Sequence, residues 1–133
     1  MDIVYDLRDD TDALQHMQSA MLSDDPIGLK NTHGLIGANE WWEQIAAGTL
    51  PFHEEVGVIS AFWLGQWADG PAEFELCDAE GRKSRWLCEI EIGAARAAFR
   101  LDRPVCVRYV VQELKTAFQG SNQSKVILSI ALG

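Results

Sequence analysis

The residues able to do chemistry in this 133-residue chain are three histidines, three cysteines, scattered serines and several closely spaced carboxylates. His53-Glu54-Glu55 has the opening of the helical zinc-hydrolase pattern, in which two histidines four residues apart hold the metal beside a glutamate base. Position 57 is a glycine, so the second ligand is missing, and Pro51 sets the tripeptide at a strand entrance, where it reads as a solvated polar turn. His33 stands in a glycine-rich stretch beside Asn31 and Thr32. With a carboxylate such as Glu40 next to it, His33 could shuttle protons, which makes His33 and Glu40 a candidate polar site. Gly34-Leu35-Ile36-Gly37 lacks the Gly-Lys-Ser/Thr ending of a phosphate loop and reads as a packed loop whose glycines permit close backbone approach.

The other constellations are weaker. Ser60 has no nucleophile elbow around it, and Ser121 and Ser124 fall in a polar stretch. Glu73 and Glu75 share a face of one strand, the usual pattern of a half-wet strand. Cys77, Cys88 and Cys106 are odd in number, match no zinc spacing, and read as buried free thiols. A Cys77–Cys88 contact across a hairpin is geometrically open, but a reducing compartment opposes a disulfide there. No cofactor and no metal is expected.

The elements that must position these residues fall into two parts. From Val56 onward the chain reads as five strands: Val56–Gly65, Ala72–Cys77, Ser84–Ile92, Pro104–Leu114 and Lys125–Leu132. Period-two alternation carries them, as in Val126, Leu128, Ile130 and Leu132, or Val105, Val107, Tyr109 and Val111. Asp78-Ala79-Glu80-Gly81 predicts a hairpin turn, Gln119–Gln123 a polar loop, and Pro104 a strand start or edge. Alanines in Gly93–Arg100 predict a short helix between the third and fourth strands. The expected fold class is α+β: a five-stranded antiparallel, strongly bent sheet or small barrel, of OB or SH3 type, preceded by two helices. One domain, 1–133, is expected, with residues 1–55 as lead-in and 56–133 as the β-rich body.

In the lead-in, residues 1–8 alternate as a short edge strand would. Asp9, Asp10 and Asp12 offer caps for a helix from about Asp12 to Leu22, with Leu14, Met17 and Met21 on its apolar stripe. Asp24-Asp25-Pro26 stops it. Asn39 should cap a second helix, Glu40–Ala47, ended by Gly48. Its face of Ala38, Trp41, Trp42 and Ile45 is expected to pack across the sheet and plug one end of a barrel, one tryptophan deep and one at the rim.

Charge is the most informative property. Residues 1–55 hold 11 acids against Arg8 and Lys30, a net of −9, while residues 56–133 balance. Residues 82–108 are locally basic, with seven bases and three acids. Such an acidic field repels phosphates and draws basic partners. No apolar run is long enough to span a bilayer and the N-terminus lacks a signal-peptide pattern, so a cytoplasmic protein without membrane contact is expected. No motif is specific enough to name a family.

The leading expectation is a non-enzymatic binding module, inhibitory or immunity-like, presenting an acidic surface to a basic protein partner. Its candidate contact residues are Asp9, Asp10, Asp12, Asp24 and Asp25, with Trp67 as an exposed anchor in a connection. An OB-like single-strand binder using the aromatics and the 82–108 arginines is the alternative, with nucleic acid the weaker partner class. A small-molecule site or enzyme around His33 comes third. A homodimer through an apolar edge at the fifth strand is also open.

Overall fold

The computed structural model describes residues 1–64, 71–88, 98–118 and 120–133. Its elements are β1 (Asp2–Asp6), a 3-10 turn (Leu7–Asp9), α1 (Thr11–Leu22), α2 (Asn39–Ala47), β2 (Phe52–Leu64), β3 (Pro71–Cys77), β4 (Lys83–Leu87), β5 (Pro104–Phe118) and β6 (Ser121–Leu132). The fold is α+β, with two helices and one six-stranded antiparallel sheet of order β1-β6-β5-β2-β3-β4. The sheet is open. Four strands separate β1 from β4, so the ends do not pair and neither barrel forms. The N-terminal stretch supplies the sixth strand, at one edge. β6, whose apolar residues suggested a free edge, has β1 and β5 on its two sides, though five-residue β1 is shorter than twelve-residue β6.

The chain divides into two compact units, which interleave in sequence. The first comprises Met1–Tyr5, Glu54–Val107 and Ser129–Gly133. Ile59, Phe74, Leu76, Trp86, Phe99, Val105, Val107, Ile130 and Leu132 are buried in it, and the Phe74 and Phe99 rings lie 5.2 Å apart. The β3–β4 hairpin is in register from Glu73↔Leu87 to Cys77↔Lys83. Between β2 and β3 the register slips between Ile59 and Ala61, so Ser60 is the extra residue of a bulge. That bulge resets the alternation: Ile59 is opposite buried Leu76, and Phe62, itself 38% exposed, is opposite buried Phe74. Trp63 is therefore turned to the other face, opposite Glu73, and is 36% exposed.

The second unit comprises Asp6–His53 and Arg108–Leu128. Asp10, the residue before α1, accepts a hydrogen bond from the Ala13 N–H at 3.2 Å, satisfying one of the orphan donors of the first turn. α2 begins at Asn39 itself. Ala38 takes the cap position without a side-chain bond, so the expected Asn39 cap is displaced by one residue. Gly48 ends the helix in the left-handed conformation, as expected. Trp41 is fully buried and its indole N–H donates to Gln112 Oε1 of β5 at 3.1 Å. Trp42 is half-buried, its indole N–H donates to the Gly37 carbonyl, and the Arg8 guanidinium lies 4.0 Å over its ring. With no barrel to plug, α2 is pinned to β5 through that buried pair.

The glycine-rich loop packs as its composition implies. A Cβ on Gly37 would meet Leu14 of α1 at 2.5 Å, and its φ of +79 favours glycine. Residues 28–30 bridge to β5 through Leu29↔Leu114, with Lys30 N–H donating to Glu113 O and Lys115 N–H to Gly28 O.

The strands are longer than their apolar alternation. β2 begins at Phe52, so His53-Glu54-Glu55 is strand, not turn. β5 and β6 run to within two residues of each other, so Ser121–Gln123 pair as strand where a polar loop was expected. The buried face also changes along β5: Val105, Val107 and Tyr109 are buried first, then Val110 and Gln112, while Val111 is only half-buried. The second half of the strand is covered on its even-numbered side, through Gln112, by Trp41 and the Lys30 carbonyl. The expected helix at Gly93–Arg100 lies outside the described residues over 93–97.

Candidate protein-binding surface

The acids singled out by sequence separate into two groups. Asp9 and Asp12 are exposed at the start of α1, beside the half-buried cap Asp10, where negative charge suits the helix dipole. Asp24 and Asp25 are exposed just past the other end. Twelve residues of helix span roughly 18 Å, so these are two clusters, not one. Negative charge at a helix C-terminus is locally unfavourable. Lys115 of β5 offsets it: its ammonium donates to the carbonyls of Ala20, Ser23 and Asp25 at 2.6, 2.8 and 3.1 Å. The same bonds draw the backbone of the 23–25 turn onto β5; both aspartates stay exposed, and Asp25 Oδ1 accepts the Ile27 N–H at 3.4 Å.

Ion pairing separates these acids from those of the strands. Asp9, Asp12, Asp24, Asp25, Glu40 and Glu43 have no ion pair among the described residues. In the β3–β4 hairpin every acid is paired: Arg85 with Glu73 at 2.8 Å, Lys83 with Glu75 at 3.6 Å, and Arg82 with Asp78 and Glu80 at 3.1 and 3.5 Å. Folding also spreads the net charge. The unit that holds α1 and α2 carries nine acids and five bases, and the other unit eleven and six, because β5 and β6 bring Arg108, Lys115 and Lys125 into the helical unit. What the helices keep is the unpaired carboxylates.

The hairpin turn is built on Asp78. Loss of water around its carboxyl works to raise the pKa, but N–H donors of Arg82 and Glu80 and the Arg82 guanidinium prevail and hold it below the ordinary value. Arg82 is correspondingly held above its own ordinary value by the Asp78 hydrogen bond and charge.

The other sequence candidates are placed as follows. His33 is half-buried with Nδ1 2.7 Å from Thr32 Oγ1. Glu40 is exposed in the first turn of α2, its carboxylate 3.4 Å from where a Gly34 Cβ would stand, and no bond joins it to His33 among the described residues. The His53 ring lies 5.3 Å from that of Tyr109, and Glu55 accepts from Ser84 Oγ at 2.6 Å. Cys77, Cys88 and Cys106 are free thiols. Among the described residues no group of three or more His, Cys, Asp or Glu is placed to hold a metal, and no helix is long and apolar enough to cross a membrane. Trp67 lies outside the described residues.

Sequence reading did not single out Trp63 among the strand aromatics, and the structure sets it partly exposed beside Arg85. The Arg85 guanidinium stacks 3.7 Å over the Trp63 ring while bonding Glu73. The stacked pair resembles half of a base-stacking platform, but Arg82, Lys83 and Arg85 are each neutralised by a neighbouring acid, which weakens the case for phosphate binding.

The structure thus presents exposed carboxylates without ion pairs among the described residues, and a Trp63–Arg85 contact on the sheet. The family model described as Immunity protein RhsI2 matches residues 1–133, and the chain belongs to that family. It is thus an immunity-type module that acts on a protein partner, the toxin. A search of curated proteins found no match.

Proposed function

We propose that this chain neutralises its toxin by direct, non-enzymatic binding in the cytoplasm, and that the toxin surface it meets is basic. The observation that carries the reading is the set of six unpaired carboxylates on and around α1 and α2, in a chain of net charge −9. Asp24 weighs most. Just past a helix C-terminus it works against the fold, whereas Asp10 caps α1 and Asp25 accepts the Ile27 N–H in the turn. Long-range attraction from such charges raises the encounter rate with an oppositely charged partner. The same net charge opposes self-association, so the complex is read as one immunity chain per toxin.

The test is a stopped-flow association of toxin with the wild type and with a variant carrying Asp9→Asn, Asp12→Asn, Asp24→Asn and Asp25→Asn, leaving Asp10 intact. Association at low salt is expected to slow by about tenfold, with dissociation little changed. An unaltered association rate would remove the acidic surface from the account.

A further inference from the structure

Resting on that reading, we infer that the outward face of the β2–β3–β4 sheet is the desolvated centre of the toxin interface, anchored by Trp63 in the grip of Arg85. The register defines the face. Trp63, Glu73 and Leu87 form one cross-strand row; Ala61, Glu75 and Arg85 the next; Val58, Cys77 and Lys83 the third. Val58, Trp63 and Leu87 are 39%, 36% and 54% exposed, so apolar side chains stand in solvent at three positions of a single face.

Polar groups on this face are already satisfied. Arg85 crosses β3 from β4 to lie over the Trp63 ring, and Glu73 fixes it there. Glu75 takes a hydrogen bond from Ser60 Oγ at 2.7 Å and pairs with Lys83. A partner covering the face would therefore desolvate matched pairs instead of lone charges, which costs less than burying an unpaired ion. Trp and Arg are the residues over-represented at interface hot spots, and a ring clamped before binding loses little entropy when it is covered.

Charge identifies the occupant. The two acids and two bases of the face cancel, and by sequence the unit that contains it carries eleven acids and six bases, a net negative charge. The complementary surface is an apolar recess rimmed by basic side chains. That is a basic protein. A second copy of this chain would bring the same net negative charge against itself, and a nucleic acid would find the face's cations occupied.

The experiment is surface plasmon resonance of the toxin over the immobilised full chain, comparing wild type, Trp63→Ala, Arg85→Ala and Leu87→Ser. Trp63→Ala is expected to speed dissociation by at least about thirtyfold with the association rate within twofold. Leu87→Ser, at the more exposed site, guards against a folding artefact and should speed dissociation severalfold with thermal unfolding unchanged. Dissociation unchanged in both variants, while the aspartate variant still slows association, overturns this inference and leaves the proposed function standing. If neither set changes either rate, both fall. Two further outcomes also overturn it: dimerisation of the wild type in sedimentation velocity that Leu87→Ser abolishes, or saturable quenching of tryptophan fluorescence by a single-stranded oligonucleotide.

Discussion

Lys115→Met removes one ammonium and keeps its apolar stem. In the wild type that ammonium donates to three carbonyls at the end of α1, one part-buried on Ala20 and two exposed on Ser23 and Asp25. The part-buried bond is charge-assisted and contributes about 1.5–3 kcal/mol. The exposed carbonyls rehydrate, so their loss reduces to the helix-end charge effect of about 0.3–1 kcal/mol. The total is roughly 2–4 kcal/mol, a large part of the stability of a small domain. In urea, the unfolding free energy should fall by that amount, and the midpoint by that amount divided by an unchanged slope. Lys30→Met is the control, since its ammonium lies 3.7 Å from Glu113 in an exposed pair and should cost under about 0.5 kcal/mol. If the two variants are equally stable, Lys115 does not hold α1 to β5 and the presentation of Asp24 and Asp25 needs another explanation.

Gln112→Leu strands the buried Trp41 indole N–H, while the Lys30 carbonyl keeps the Thr32 N–H, and should destabilise by about 1–3 kcal/mol in the same assay, more than its exposed neighbour Glu113→Gln. Asp78 has its folded pKa depressed, so its contribution is present above the ordinary carboxylate range and lost as pH falls through the folded value. The stability gap between wild type and Asp78→Asn should accordingly be widest near neutrality and narrow in acid, as followed by thermal unfolding over a pH series. A gap independent of pH would mean the turn does not depend on the charge.

Local signals in the sequence were read reliably where short-range physics decides them. α1 differs from its expected start by one residue, Gly48 ends α2, and Val126, Leu128, Ile130 and Leu132 are all buried. Non-local pairing decided the rest. Ser121–Gln123 have no strand pattern of their own and become strand because β5 lies alongside. The change of buried face near Val110 follows from α2 packing on β5 through Gln112, a contact 71 residues apart. The open sheet depends on strand order, which no local pattern encodes. For the candidate surface, the acids were visible as residue types, but their division by α1 and their lack of partners required coordinates. The Glu73–Leu87 and Glu75–Arg85 oppositions could have been deduced from the Asp78–Gly81 turn, which fixes the hairpin register. Trp63 could not, because the bulge at Ser60 shifts the alternation without a glycine to announce it.

The salt dependence of toxin association with the wild-type chain bears most directly on the central claim. If unpaired carboxylates steer a basic toxin, the association rate constant should fall by about tenfold or more between low and physiological ionic strength, with dissociation nearly constant. An association rate that is flat or rises with salt would contradict it.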